Sequence, residues 1–229
     1  MILILLFCFF LNDFTIAFAS YDESDMLSIC RNAALQEGIS LDDLTNYRTE
    51  IKQYDSVTNG IMTTKWLVSF AESDTDESGF VFVIVFVPSG MIQTSNKSRV
   101  VFEIERQRLE LEQEYGLWYF WDVEKKAQFN EEILTPLGYP SSATVPTEKD
   151  ITQSQAIQIA CSHIQKEIDS MNKQVNPLVL DVNFHDYLEE TRWLINFWEV
   201  AQMNEPPFVL LFSVAIHSET GEVTDCIKY

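Results

Sequence analysis

Two stretches of this chain repeat one pattern of residue types, and that repeat limits the fold more than any other feature. Lys65-Trp66-Leu67-Val68-Ser69-Phe70 is matched, about 130 positions on, by Arg192-Trp193-Leu194-Ile195-Asn196-Phe197. Each reads as a basic residue, Trp, Leu, a β-branched residue, a small polar residue and Phe. A pattern repeated once at this separation describes two copies of one supersecondary unit rather than a single long layer.

The surroundings of the two hexapeptides agree as well. Downstream of each lies a β-prone run closing on a glycine turn: residues 80–87 followed by Pro88-Ser89-Gly90, and residues 208–216 followed by Ser218-Glu219-Thr220-Gly221. Gly90 and Gly221 suit a turn position with positive φ. Upstream, residues 25–37 and 153–171 read as helices. In the second, Ile157, Ala160, Cys161, Ile164 and Ile168 share one face at spacings of three and four. Thr152 and Gln155 make a capping-box pattern at its start. A further strand stands between helix and Trp strand, residues 47–54 in one copy and 178–187 in the other. In the latter, Val179, Asp181, Asn183 and His185 alternate with Leu180, Val182, Phe184 and Asp186, as in a sheet with one face covered and one wet. Short last strands, residues 91–94 and 222–229, complete each copy.

Strands joined by short polar turns pair antiparallel, and one amphipathic helix can cover one sheet face. The expected fold class is therefore α+β: two tandem two-layer units, each with one helix on a four-stranded antiparallel sheet, joined by a helical connector. Period-two geometry turns Trp66, Val68 and Phe70, and likewise Trp193, Ile195 and Phe197, toward their helices. The expected division is residues 20–100 for the first unit, 101–147 for the connector and 148–229 for the second. Within the connector, residues 103–115 carry the mixed charges of an exposed helix and residues 122–134 read as another. Between them, Trp118-Tyr119-Phe120-Trp121 either packs as the connector's core or offers a stacking platform, which marks Trp118 and Trp121 as candidate interaction positions beside the turns at Gly90 and Gly221.

The first eleven residues are almost wholly apolar, and Ala17-Phe18-Ala19 follows as a small-x-small pattern. Residues 1–19 read as a signal peptide, too short to span a bilayer and interrupted by Asp13. The expectation is export to the medium or the cell envelope, with no stable membrane span after cleavage. A formal charge of −20 argues against nucleic acid or anionic lipid as partner. Outside the leader, the odd number and unpaired spacing of Cys30, Cys161 and Cys226 indicate no disulfide framework; they read as small buried hydrophobes, with a Cys161–Cys226 bridge in an oxidising compartment as the alternative.

Chemistry-bearing motifs are sparse. Asp74-Thr75-Asp76-Glu77-Ser78-Gly79 opens like a calcium loop, but its twelfth position is Val85 and a strand follows, which favours a solvated acidic hairpin loop. His163, His185 and His217 lie in different elements and lack metal-ligand spacing. No phosphate-binding loop, dinucleotide fingerprint or nucleophile elbow occurs. The expectation is no catalytic, cofactor-binding or metal-binding residues and no cofactor.

The stretch Ile151-Thr152-Gln153-Ser154-Gln155-Ala156-Ile157-Gln158-Ile159-Ala160, with Arg192-Trp193-Leu194-Ile195-Asn196-Phe197 and Phe212-Ser213-Val214-Ala215-Ile216 through Thr220-Gly221-Glu222-Val223, resembles the PepSY domain family. The resemblance covers residues 150–229 and, more faintly, 22–95. It departs at His217, where the family usually has an acidic residue, and at Val87-Pro88-Ser89-Gly90. It implies an extracytoplasmic, non-catalytic module of secreted bacterial proteins, one that restrains peptidases or acts at the envelope and whose partner is another protein. An envelope-associated structural protein and, further off, an unrecognised hydrolase stay open as alternatives.

Overall fold

The computed structural model describes residues 23–39, 47–58, 60–72, 79–87, 91–170, 179–187, 190–200 and 208–229. The expected signal peptide, the calcium-like loop up to Ser78, and Gly90 fall outside these residues.

Two four-stranded antiparallel sheets form, each in simple meander order. The first holds β1 (Arg48–Thr58), β2 (Ile61–Ala71), β3 (Phe80–Val87) and β4 (Ile92–Asn96). The second holds β5 (Val179–Tyr187), β6 (Glu190–Val200), β7 (Phe208–His217) and β8 (Val223–Lys228). Helix α1 (Glu23–Gln36) precedes the first sheet and α4 (Gln153–Ser170) the second. Between the sheets run α2 (Arg99–Tyr115), a 3-10 turn (Trp118–Phe120), α3 (Val123–Phe129) and a π-helical turn (Asn130–Leu134).

The duplication extends to residue register. Trp66 lies opposite Val85, Val68 opposite Val83 and Phe70 opposite Val81. Their counterparts are Trp193 with Ile216, Ile195 with Val214 and Phe197 with Phe212. Each third strand carries an irregularity against the fourth at the same place, between Ile84 and Val85 and between Ala215 and Ile216. A bulge re-aims a strand and fixes its register, so finding it twice at equivalent positions shows one plan built twice. The second sheet adds an irregularity of its own between Phe197 and Trp198.

The Trp strands face their helices as period-two geometry requires. Met26, Cys30, Ala33 and Ala34 of α1 pack on Val68, Phe70, Val81, Val83 and Val85. Ala156, Ala160 and Ile164 of α4 pack on Trp193, Ile195, Phe197, Phe212, Val214 and Ile216. Small residues on the helices let them approach the sheet closely, and the large side chains come from the strands. Trp193 is fully buried, in edge contact with Phe184 at 4.8 Å, and its Nε1 donates to the Ile151 carbonyl at 3.1 Å. The capping box holds α4 at its start: Gln155 N donates to Thr152 Oγ1 and Thr152 N to Gln155 Oε1.

Two expectations need correction. Helix α2 is not an exposed connector, because Leu109 is fully buried with Leu67, Phe80, Phe82 and Ile84, and Phe102 packs against them. The first sheet thus has helices on both faces, and its local architecture is three layers rather than two. The uninterrupted apolar run of β3 carries this signal, since a strand covered on both faces does not alternate. The second correction concerns the supposedly wet face of β5: Asp181 is only 4% exposed, beneath the connector. Of the cysteines, Cys30 is buried as expected and Cys161 is half-buried, whereas Cys226 is exposed on β8, against the expectation of burial, because that strand lies at the sheet edge.

Candidate functional site

The most exposed large apolar side chains of the described strands lie side by side at the tip of the β1–β2 hairpin. Val57 and Met62 are cross-strand partners, 61% and 71% exposed. They point to the face that carries α1, whereas the opposite face of the same tip is clamped. Leu117 N donates to Thr58 Oγ1 at 2.7 Å, and Gly116, at φ +81, lies so close that an added Cβ would stand 2.7 Å from Thr58 Oγ1 and 2.8 Å from the Val57 carbonyl.

Below the clamp, Lys65 of β2 and Glu112 of α2 form a buried ion pair at 2.6 Å, with side chains 1% and 2% exposed. Burial pushes the Lys65 ammonium down to about 8, against the pull of Glu112. Glu112 also accepts from Trp118 N at 3.1 Å and pairs with Arg108, which itself meets Glu105. Such a pair contributes little net stability, but removing either partner would leave the other as an uncompensated buried charge.

On the same side of the sheet, β1 and α2 diverge to leave a cleft of about 360 Å³. Leu67, Tyr54 and Phe102 line its apolar part, and Lys52, Arg106 and Glu50 its polar part. The Tyr54 hydroxyl is buried beside the Lys52 side chain. Burial raises the phenol's pKa, and Lys52, 4.7 Å above the ring centroid, opposes that shift. Lys52 Nζ donates to Glu110 Oε1 at 3.0 Å, and Arg106 Nη1 donates to the same oxygen at 2.7 Å. Arg106 Nε also donates to Glu103 Oε2 at 3.0 Å.

A second buried polar network joins the connector to β5. Lys126 Nζ donates to Asp181 Oδ1 at 2.5 Å, Asn183 Oδ1 at 2.7 Å, the Tyr119 carbonyl at 2.9 Å and the Val182 carbonyl at 3.2 Å. Asp181 Oδ2 accepts from Asn196, whose own Oδ1 accepts from Ser213. Every member is partnered within the protein, which describes an internal fastening rather than a site open to a substrate. His185, next along β5, is bonded through Nδ1 to Ser142 Oγ at 2.9 Å. Burial, then Lys126, hold the His185 pKa below its ordinary value, against the opposing pull of Asp181.

Of the residues singled out in the sequence, Gly221 has φ +71 and closes the β7–β8 turn against Ile159 of α4. Trp121 is 3% exposed, its Nε1 bound to the Gly116 carbonyl at 2.7 Å, so core packing describes it. Trp118 is half-buried and rests edge-on against Trp121 at 5.0 Å. Trp66 and Phe70, like Trp193 and Phe197, serve their helix-facing cores. The hairpin tip and the cleft were missed: Val57 and Met62 are near in the chain but their exposure depends on which faces the helices cover, and the cleft joins β1 and β2 to the distant α2. Among the described residues no helix is long and apolar enough to cross a membrane.

The architecture is thus that of an α+β protein with two four-stranded antiparallel sheets, one plan used twice. Comparison with protein-family models, with curated proteins and with solved structures found no match.

Proposed function

We propose that this chain is an exported, non-catalytic binding or inhibitory protein, built of two PepSY-like units, that engages a protein partner through the β1–β2 hairpin tip. The observation that carries the reading is the Val57–Met62 pair. Two adjacent apolar side chains stand in water on a hairpin whose other face is clamped by Thr58, Gly116 and the Lys65–Glu112 pair. Exposed apolar groups on a preorganised element are what a partner's apolar pocket recognises at low entropic cost. The resemblance of the Trp strands and the Thr-Gly turn to PepSY domains supports the choice of a restrained peptidase, or another protein of the envelope, as that partner. The apolar leader followed by Ala17-Phe18-Ala19 supports export.

The test is capture with residues 20–229 from the medium and envelope of the producing cell, in parallel with a Val57→Asp, Met62→Asp double variant. A reproducible partner retained by the wild type and lost by the variant is expected. Equal capture by both proteins would move the interface elsewhere, and no reproducible partner would defeat the reading.

A further inference from the structure

We propose that the cleft between β1 and α2 binds a small apolar carboxylate, with Lys52 and Arg106 holding its anionic end and Tyr54, Leu67 and Phe102 its apolar body. The size is suitable, since small-molecule sites usually enclose roughly 300–1,000 Å³ and this cleft offers about 360 Å³. Its charge is unusual for the molecule. The chain has 15 basic against 35 acidic residues, yet Lys52 and Arg106 both line this opening with one acid, Glu50, while the carboxylates that pair with the two cations, Glu103 and Glu110, are not among its lining residues. Glu50 is itself engaged by Arg48 at 3.1 Å.

The two cations are held in place in advance. Arg106 is gripped by Glu103 and Glu110, and Lys52 by the same Glu110 oxygen. With Nε and Nη2 donating to Glu103 and Nη1 to Glu110, the Arg106 guanidinium keeps one N–H on each terminal nitrogen for a further carboxylate, and it loses little freedom on binding one. Tyr54, whose hydroxyl is buried, lines the same cleft next to Lys52. Glu110 Oε1 is then an internal anion bound to both cations that a ligand carboxylate would use. Glu110 competes with the ligand, and its removal strengthens binding.

This site does not depend on the hairpin-tip reading, and its test does not involve a protein partner. Purified protein is titrated with decanoate and with decanol while backbone amide resonances are followed. Decanoate is expected to give saturable shifts at Lys52, Tyr54, Leu67 and Phe102, and decanol to bind at least about tenfold more weakly, since it lacks the charge that the cations recognise. Glu110→Gln should tighten decanoate by about threefold to tenfold, and Arg106→Gln should weaken it by about tenfold. The proposal is overturned by equal binding of the two ligands, by a Glu110→Gln protein with unchanged or weaker affinity for decanoate, or by the absence of saturable shifts at these residues.

Discussion

Gly116 stands where the end of α2 meets the β1–β2 hairpin, and two constraints act on it together. Its φ of +81 disfavours any side chain, and a Cβ would collide with the Val57 carbonyl, a backbone atom that cannot swing away. Gly116→Ala is expected to lower stability by ~2–4 kcal/mol, read from the urea midpoint. Gly138 has φ +83 with nothing near its Cβ position, so Gly138→Ala should show only the conformational part, about 1–2 kcal/mol. Equal losses at the two sites would remove the clamp from the account. His185 gives a residue-scale pH dependence. Its folded pKa lies below the ordinary 6.5, from burial and then Lys126, so the unfolded chain takes up a proton first as pH falls. The His185 contribution is therefore intact above about 6.5 and declines as pH drops through that value toward the lower folded one. Urea titrations at pH 7 and pH 5 should show a smaller acid loss in His185→Gln than in the wild type; identical losses would discount this residue. Gly221 was recognisable in the sequence because its turn is local. Gly116 was not, since the atoms that forbid a side chain belong to residues nearly sixty positions earlier.

Among the elements, β3 and β7 show how burial is written in a strand. The run Phe80–Val87 has no polar position because helices cover both faces, whereas β7 places Ser213 among its apolar residues where its back face meets Asn196 and Asp181. The helices were harder to judge. Mixed charges on α2 suggested a solvated surface, yet Arg108 and Glu112 are buried, because Lys65 and Glu105 complete their ion pairs. Charge alone does not state exposure when the compensating charge comes from another element. The fastening of α3 to β5 makes a strong prediction of this kind. Lys126→Met leaves Asp181 buried without its cation and should cost about 3–5 kcal/mol in chemical denaturation. Adding Asp181→Asn should recover at least about 1 kcal/mol of that loss through coupling. Strict additivity of the two substitutions would show that the bond contributes nothing specific.

At the scale of the whole molecule, two copies of one sheet plan are tied together by a connector that serves both. Helix α2 covers the back of the first sheet with Leu109 and Phe102, while Val123 of α3 enters the core of the second and Lys126 neutralises its buried Asp181. The sequence by itself determined the duplication, the order of helix and strands in each copy, the helix-facing set Trp66, Val68, Phe70, Trp193, Ile195 and Phe197, the capping box at Thr152 and the turn at Gly221. All of these follow from local periodicity, local hydrogen bonding or backbone conformation, which neighbouring residues specify among themselves. Only the tertiary structure decided that the first sheet is covered twice, that Asp181 on the polar face of β5 is buried beneath the connector, that the hairpin tip is clamped on one side and bare on the other, and that Lys52, Tyr54 and Arg106 share a cleft. Each of those depends on which surfaces meet across long stretches of chain, and a linear pattern of polar and apolar residues does not encode which partner covers a face.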